Sequence, residues 1–234
     1  MPMENKKMKF ALILMLTLSL SGCAIPNSNF NNYKLEKRFD SGAAKITYTL
    51  DSEVDYDEYL PIIYKRLDSL GYTEYEAKIL SDTSFVLTVK GNNNTDYESL
   101  ANYISAKGYI TFRDLDNNIL LNRNDIEYAS AQHGQLSENR ENEYYVLLKF
   151  TAEGAEKFSS ATEKISKLEP GYNCIAIMLD DAVISQPSVT SKIDSDEVVI
   201  SGIFTLDDVK ELAGIINSGV MPTGAEVTNI EIIK

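Results

Sequence analysis

The segment YDEYLPIIYKRLDSLGYTEYEAKILSDTSFVLTV, residues 56–89, changes its apolar period halfway along, and that change decides the fold class. In the first half, Leu60, Ile63, Leu67 and Leu70 recur at the three-and-four spacing of a helix with one apolar face, and Gly71 supplies the stop. Pro61 should then lie in the helix's first turn, because deeper it removes a hydrogen bond and crowds the preceding turn. In the second half, YEAKIL and SFVLTV read as two strands joined at Ser81 and Asp82. A helix running into a hairpin is an α+β signature.

The flanks extend the pattern. KITYTL places Ile46, Tyr48 and Leu50 on one strand face. Thr95 with Glu98 has the spacing of a capping box, opening a helix that carries Leu100, Ala101 and Ile104 and closes at Gly108. YITFRD follows as a strand. The order strand-helix-strand-strand-helix-strand is that of a ferredoxin-like, split βαβ unit.

A polar region over 122–143, containing HGQLSENRENE, separates a second block of related layout. There YYVLLKF alternates Val146, Leu148 and Phe150, and Thr151 opens a helix with Ala155, Phe158, Ile165 and Leu168 inward. CIAIMLDDAVISQPSV reads as a hairpin turning at Asp180-Asp181, and VVISGIF as another strand. In TLDDVKELAGIINSG, Thr205 and Asp208 cap a helix, Leu206, Val209, Leu212, Ala213 and Ile216 face inward, and Gly219 ends it. EVTNIEII is a last strand. The expectation is thus α+β, with two ferredoxin-like subdomains.

The chain has 234 residues and a net charge of −13. That balance argues against nucleic acid, which needs a basic footprint, and against electrostatic adhesion to anionic lipid. Near the start, Lys6, Lys7 and Lys9 precede an apolar run from Phe10 to Leu20, too short to span a bilayer and suited to a secretory signal. Leu20-Ser21-Gly22-Cys23 resembles the bacterial lipobox. The resemblance implies that residues 1–22 are removed and that Cys23 carries a lipid on its sulfur. The polar, Asn-rich stretch to residue 41 would be a tether. Cys174, in an apolar strand-like run, is then left without an intramolecular disulfide and reads as core.

Little in the chain suggests chemistry. His133 is the only histidine and falls in the polar region, which leaves neither a catalytic triad nor a zinc set. Asp114, Asp116, Asn118 and Asp125 match positions 1, 3, 5 and 12 of an EF-hand loop, but Ile119 stands where its glycine belongs, so the stretch reads as a hairpin turn. Asp180-Asp181 suits a turn and Asp207-Asp208 a helix start. No cofactor, metal site or enzymatic activity is expected.

From Gly108 onward the chain resembles the large extracytoplasmic domain of the SecD family, of the bacterial protein-export machinery. The matching stretches are GYITFRD, ILLNRNDIEYA, LLKFTAEGAEKF with Thr162, IAIMLDDAVISQPSV, ISGIFTLDDVKELAGIINSG and MPT, in the family's order. YKRLDSLGY is similar to the base of that domain. The resemblance implies a base over 42–112, a head over 113–221, and a terminal strand over 222–234 that returns to the base. It also implies that the domain holds or guides exported polypeptide, with head movement coupled to proton flow through transmembrane helices.

FDSGAAKITY stands where the family has a Gly-rich motif, and no later stretch reads as membrane-spanning, so the expectation is a handling domain without the motor. The expected protein is a lipoprotein on the extracytoplasmic face of the cell membrane, binding polypeptide clients or a translocon or envelope protein. Its contacts would lie near Asp180, Gln186, Pro187, Phe204 and the rim of the 205–218 helix. The alternative is a structural or regulatory envelope lipoprotein docked to one fixed partner.

Overall fold

The computed structural model describes residues 42–92, 94–137 and 141–233. The expected signal peptide, Leu20, Ser21, Gly22, Cys23 and the tether lie outside them. The chain opens with β1 (Ala43–Leu50), α1 (Tyr56–Ser69), β2 (Tyr75–Ser81), β3 (Ser84–Lys90) and α2 (Tyr97–Ser105). It continues through β4 (Ile110–Arg113), β5 (Ile119–Asn122), a 3-10 turn (Arg123–Asp125), β6 (Ile126–Gly134), β7 (Glu143–Phe150) and α3 (Ala152–Ile165). It closes with β8 (Ala176–Leu179), β9 (Ala182–Ser185), β10 (Glu197–Ser201), α4 (Leu206–Ser218) and β11 (Ala225–Ile233). Among the described residues no helix is long and apolar enough to cross a membrane.

Among the described residues three antiparallel sheets result, ordered β11-β1-β3-β2, β10-β7-β6 and β5-β4-β8-β9. The first is ferredoxin-like, and the terminal strand returns to it as the resemblance implied, but it takes the fourth position that the strand-helix order had given to YITFRD. β11 pairs with β1 from Ala43 opposite Ile233 to Leu50 opposite Ala225, whereas β4 pairs with β5 and β8. Burial explains the exchange. Ile110, Thr111 and Phe112 are buried in succession, as in a central strand covered on both faces, while β11 alternates half-buried and exposed residues like an edge. Everything from β4 to α4 is therefore inserted between the third and fourth strands of the ferredoxin-like unit.

Other local expectations shift for identifiable reasons. α1 is capped by Asp55, which accepts from the Asp57 N–H, so Pro61 falls in the second turn; Asp57 and Pro61 are exposed there, and water can serve the carbonyl that loses its donor. The cap of α2 is Asp96, whose Oδ1 accepts from Glu98 and Ser99 N–H, while Thr95 Oγ1 accepts from Asn92 N–H in the preceding turn. Thr151 and the Thr205–Asp208 capping box do open α3 and α4. The polar region over 122–143 contains β6, which carries His133; alternation is weak there because β6 is an edge strand. Its outer edge is closed at Ala129, whose N–H and C=O bond the Asn217 side-chain amide at 2.8 and 2.7 Å.

One core joins the inserted sheets to the ferredoxin-like unit, running from Ala44 to Met221. α4 is the shared element. It is buried on nearly every side, including Val209, Leu212, Gly214, Ile215 and Ile216, because it packs on β6 and β7 and also against α1. Leu206, expected inward, is exposed at its first turn, and Leu60 of α1 and Leu70, which caps that helix, are only half-buried.

Candidate functional site

Where the β4–β5 turn meets the end of α3, the surface opens into a groove of about 430 Å³. Its apolar lining comes from Leu115, Leu120, Ala161, Ile165, Leu168 and Tyr172, with Asp114, Asp116, Lys164 and Glu169 around them. Both walls follow from local sequence. Asp114 closes the β4–β5 turn, accepting the Asn118 N–H at 2.8 Å and its side-chain amide at 2.9 Å, while Asn117 takes a left-handed φ of 66°. The turn leaves Leu115 at its tip.

On the other wall α3 ends at Ile165, so Leu168 no longer lies on the buried helical face where the apolar period had placed it. It bonds the Ile165 carbonyl through its N–H and turns its side chain outward, and Tyr172 follows after Pro170-Gly171. Leu115, Leu168 and Tyr172 are 44%, 50% and 68% exposed. Single exposed apolar residues are ordinary, but three lining one concavity form a contiguous apolar patch, the kind of feature that marks contact surfaces. Beside them Lys167 and Glu163 pair at 3.0 Å, and the ammonium holds the Glu163 carboxyl below its usual range.

The four contact residues expected from sequence lie elsewhere and do not converge. Asp180, at φ 55° in the β8–β9 turn, accepts the N–H groups of Lys107 and Tyr109 at 3.1 and 2.8 Å and so pins the entry to β4. Gln186 and Pro187 sit beyond the opposite end of β9; Pro187 is buried, and its carbonyl accepts the Ile175 N–H. Phe204 packs half-buried against the core, next to Ile203, which is fully exposed.

The remaining candidates have structural surroundings. Asp125 is buried, accepts the Asn122 N–H and pairs with Lys157 at 2.8 Å, so it belongs to a cap and an ion pair rather than to a loop shared with Asp114. Asp208 caps α4, and Cys174 is buried beside Ser188. His133 packs against Tyr144 with ring centroids 4.5 Å apart. Among the described residues, no group of three His, Cys, Asp or Glu could hold a metal.

Comparison with known proteins agrees with the topology. A family described as SecDF, P1 head subdomain matches residues 106–223, the insertion between α2 and β11. The chain is 29% identical to the protein translocase subunit SecDF of Bacillus subtilis over 175 residues, covering 68% of this chain and 22% of that protein. It is 26% identical to the SecD subunit of Acidaminococcus fermentans, covering 76% of this chain and 41% of that one. The chain thus spans less than half the length of these curated relatives. A solved structure of SecDF in a super-membrane-facing form superposes with a TM-score of 0.64 over 85% of this chain and 31% of its own, at 20% identity. Another, of a membrane component SecDF that enhances protein export, gives 0.60 over 81% of this chain and all of its own, also at 20% identity. At that identity the two structures support the fold.

Proposed function

The chain belongs to the SecDF family through its P1 head subdomain, and from that membership we propose that it is a membrane-anchored lipoprotein that binds polypeptide during export, folding or envelope assembly. It acts without turnover and without proton-driven motor function. The base is the ferredoxin-like unit and the head is the insertion, with Cys23 as the lipid attachment point on the extracytoplasmic face of the cell membrane.

The observation that carries the reading is the apolar groove at Leu115, Leu168 and Tyr172. A binding module needs exposed apolar area on a rigid support, and β4, β5 and α3 provide it. The sequence-expected contacts Asp180, Gln186 and Phe204 lie apart in the fold and enter this reading only as separate contact points, with the exposed Ile203 beside the last of them.

A photo-reactive residue at position 172, introduced into the full chain in cells, tests the proposal. Cross-links to many unrelated exported chains support client binding. One dominant partner supports the docking alternative, and no cross-link above that of a probe on the outer face of β3 defeats the groove as a binding surface.

A further inference from the structure

The groove carries a charge asymmetry that selects among polypeptides. Three carboxylates, Asp114, Asp116 and Glu169, stand around its apolar floor against one ammonium, Lys164. The nearby Arg113 guanidinium is turned to Thr111 Oγ1 at 3.0 Å and Asn117 Oδ1 at 2.8 Å. Lys167 is paired with Glu163.

The C-terminal end of α3 adds to this field, because the partial negative charge of a helix falls at its last carbonyls and the groove includes Ile165 and Leu168. The whole chain, at −13, has the same sign. A second copy of this chain or an anionic bilayer would approach against that field.

Resting on the reading of the groove as a polypeptide-binding surface, we infer that its occupant is a segment in which a large apolar side chain is flanked by Lys or Arg. The apolar side chain enters between Leu115, Leu168 and Tyr172, and the flanking cations lie over Asp116 and Glu169, both exposed. The rim charges act mainly on encounter and choice, and the apolar floor on retention. Screening limits the rim's influence to about 8 Å at physiological ionic strength, so the preference is salt-sensitive.

Fluorescence anisotropy with the full chain tests this, using three labelled peptides of equal length: Leu flanked by Lys, Leu flanked by Glu, and Ser flanked by Lys. The Lys-Leu peptide is expected to bind roughly fivefold to tenfold tighter than the Glu-Leu peptide, with the ratio shrinking as salt rises. The Ser peptide is expected to bind weakest. Asp116→Lys with Glu169→Lys should reverse the charge preference, and Leu168→Ser should weaken both Leu peptides. Equal binding of the Lys-Leu and Glu-Leu peptides, both weakened by Leu168→Ser, overturns the charge preference and leaves the groove reading standing. Leu peptides that bind no better than the Ser peptide and ignore Leu168→Ser overturn both.

Discussion

Arg66 and Arg123 end on the same turn of α4, one reaching from the base and the other from the head. Arg66 Nε donates to Ser218 Oγ at 3.1 Å and its Nη2 to the Gly219 carbonyl at 3.4 Å, while Arg123 Nε donates to the Ile216 carbonyl. α4 has no basic residue in its own last turn, so these guanidiniums meet the negative end of its dipole and its orphan carbonyls. Arg66 also donates to the carbonyls of Ile104 and Ala106 at the end of α2. One fully buried cation thus ties two helix ends together.

Replacing Arg66 should be among the costliest single changes in the described fold. Arg66→Ala leaves several buried carbonyls without donors and is expected to lower unfolding free energy by about 3–5 kcal/mol. Arg66→Lys should recover little, since an ammonium cannot fork to both helix ends. Urea denaturation midpoints decide it: a midpoint within error of the unaltered protein for Arg66→Ala would show that the clamp contributes nothing.

Gly214 lies where α4 packs against the two base helices. A Cβ there would stand 2.3 Å from Tyr103 Oη and 2.4 Å from Ser69 Oγ, two atoms that are themselves bonded at 3.1 Å. Gly214→Ala is expected to cost about 1–3 kcal/mol by overpacking, despite alanine's better helix propensity. Adding Tyr103→Phe and Ser69→Ala should relieve part of that loss, giving a non-additive cycle. Thermal melts of the single and combined variants measure it, and a stabilised Gly214→Ala would contradict the packing.

The elements with strong local signals were legible in the sequence, and those decided by distant partners were not. α4 announced itself because Thr205, Asp208 and Gly219 act locally. The fate of β4 was hidden, because a strand's neighbour depends on which faces become covered, and β11 lies over a hundred residues away. β6 was hidden by its polar edge, completed only by Asn217. Leu168 kept the helical period although the helix had already ended, so the groove's main apolar residue looked like core. Arg66 sits between Lys65 and Asp68 in the charged stretch YKRLDS, where nothing local signals full burial.

Alkaline pH should loosen the ferredoxin-like unit before it affects the head. Burial pushes the phenols of Tyr59 and Tyr103 up to about 12 and raises that of Tyr48 well above its ordinary value. In the unfolded chain these groups ionise near pH 10, so the folded state holds more protons between about pH 10 and 12. Their stabilising contribution is complete below pH 10 and is lost as pH rises toward 12. Melting temperature followed against pH should fall in that window. Tyr103→Phe should flatten the fall, and an unchanged slope would remove Tyr103 as a cause.

Membrane attachment should depend on Cys23 and not on Cys174. Cys174 is fully buried, with Sγ 3.6 Å from Ser188 Oγ, so acylation there would require opening the core around Ile175 and Val189. Cys23 follows Leu20-Ser21-Gly22 directly, where a lipid would lie far from the packed residues in sequence. After cell fractionation, Cys23→Ser should leave the membrane pellet for the soluble fraction or persist as an unprocessed precursor. Cys174→Ser should remain in the pellet, with at most a small loss of stability from the altered core. A Cys23→Ser protein that is processed and stays membrane-bound would overturn the lipid anchor, whereas the groove at Leu168 and Tyr172 would be unaffected by that result.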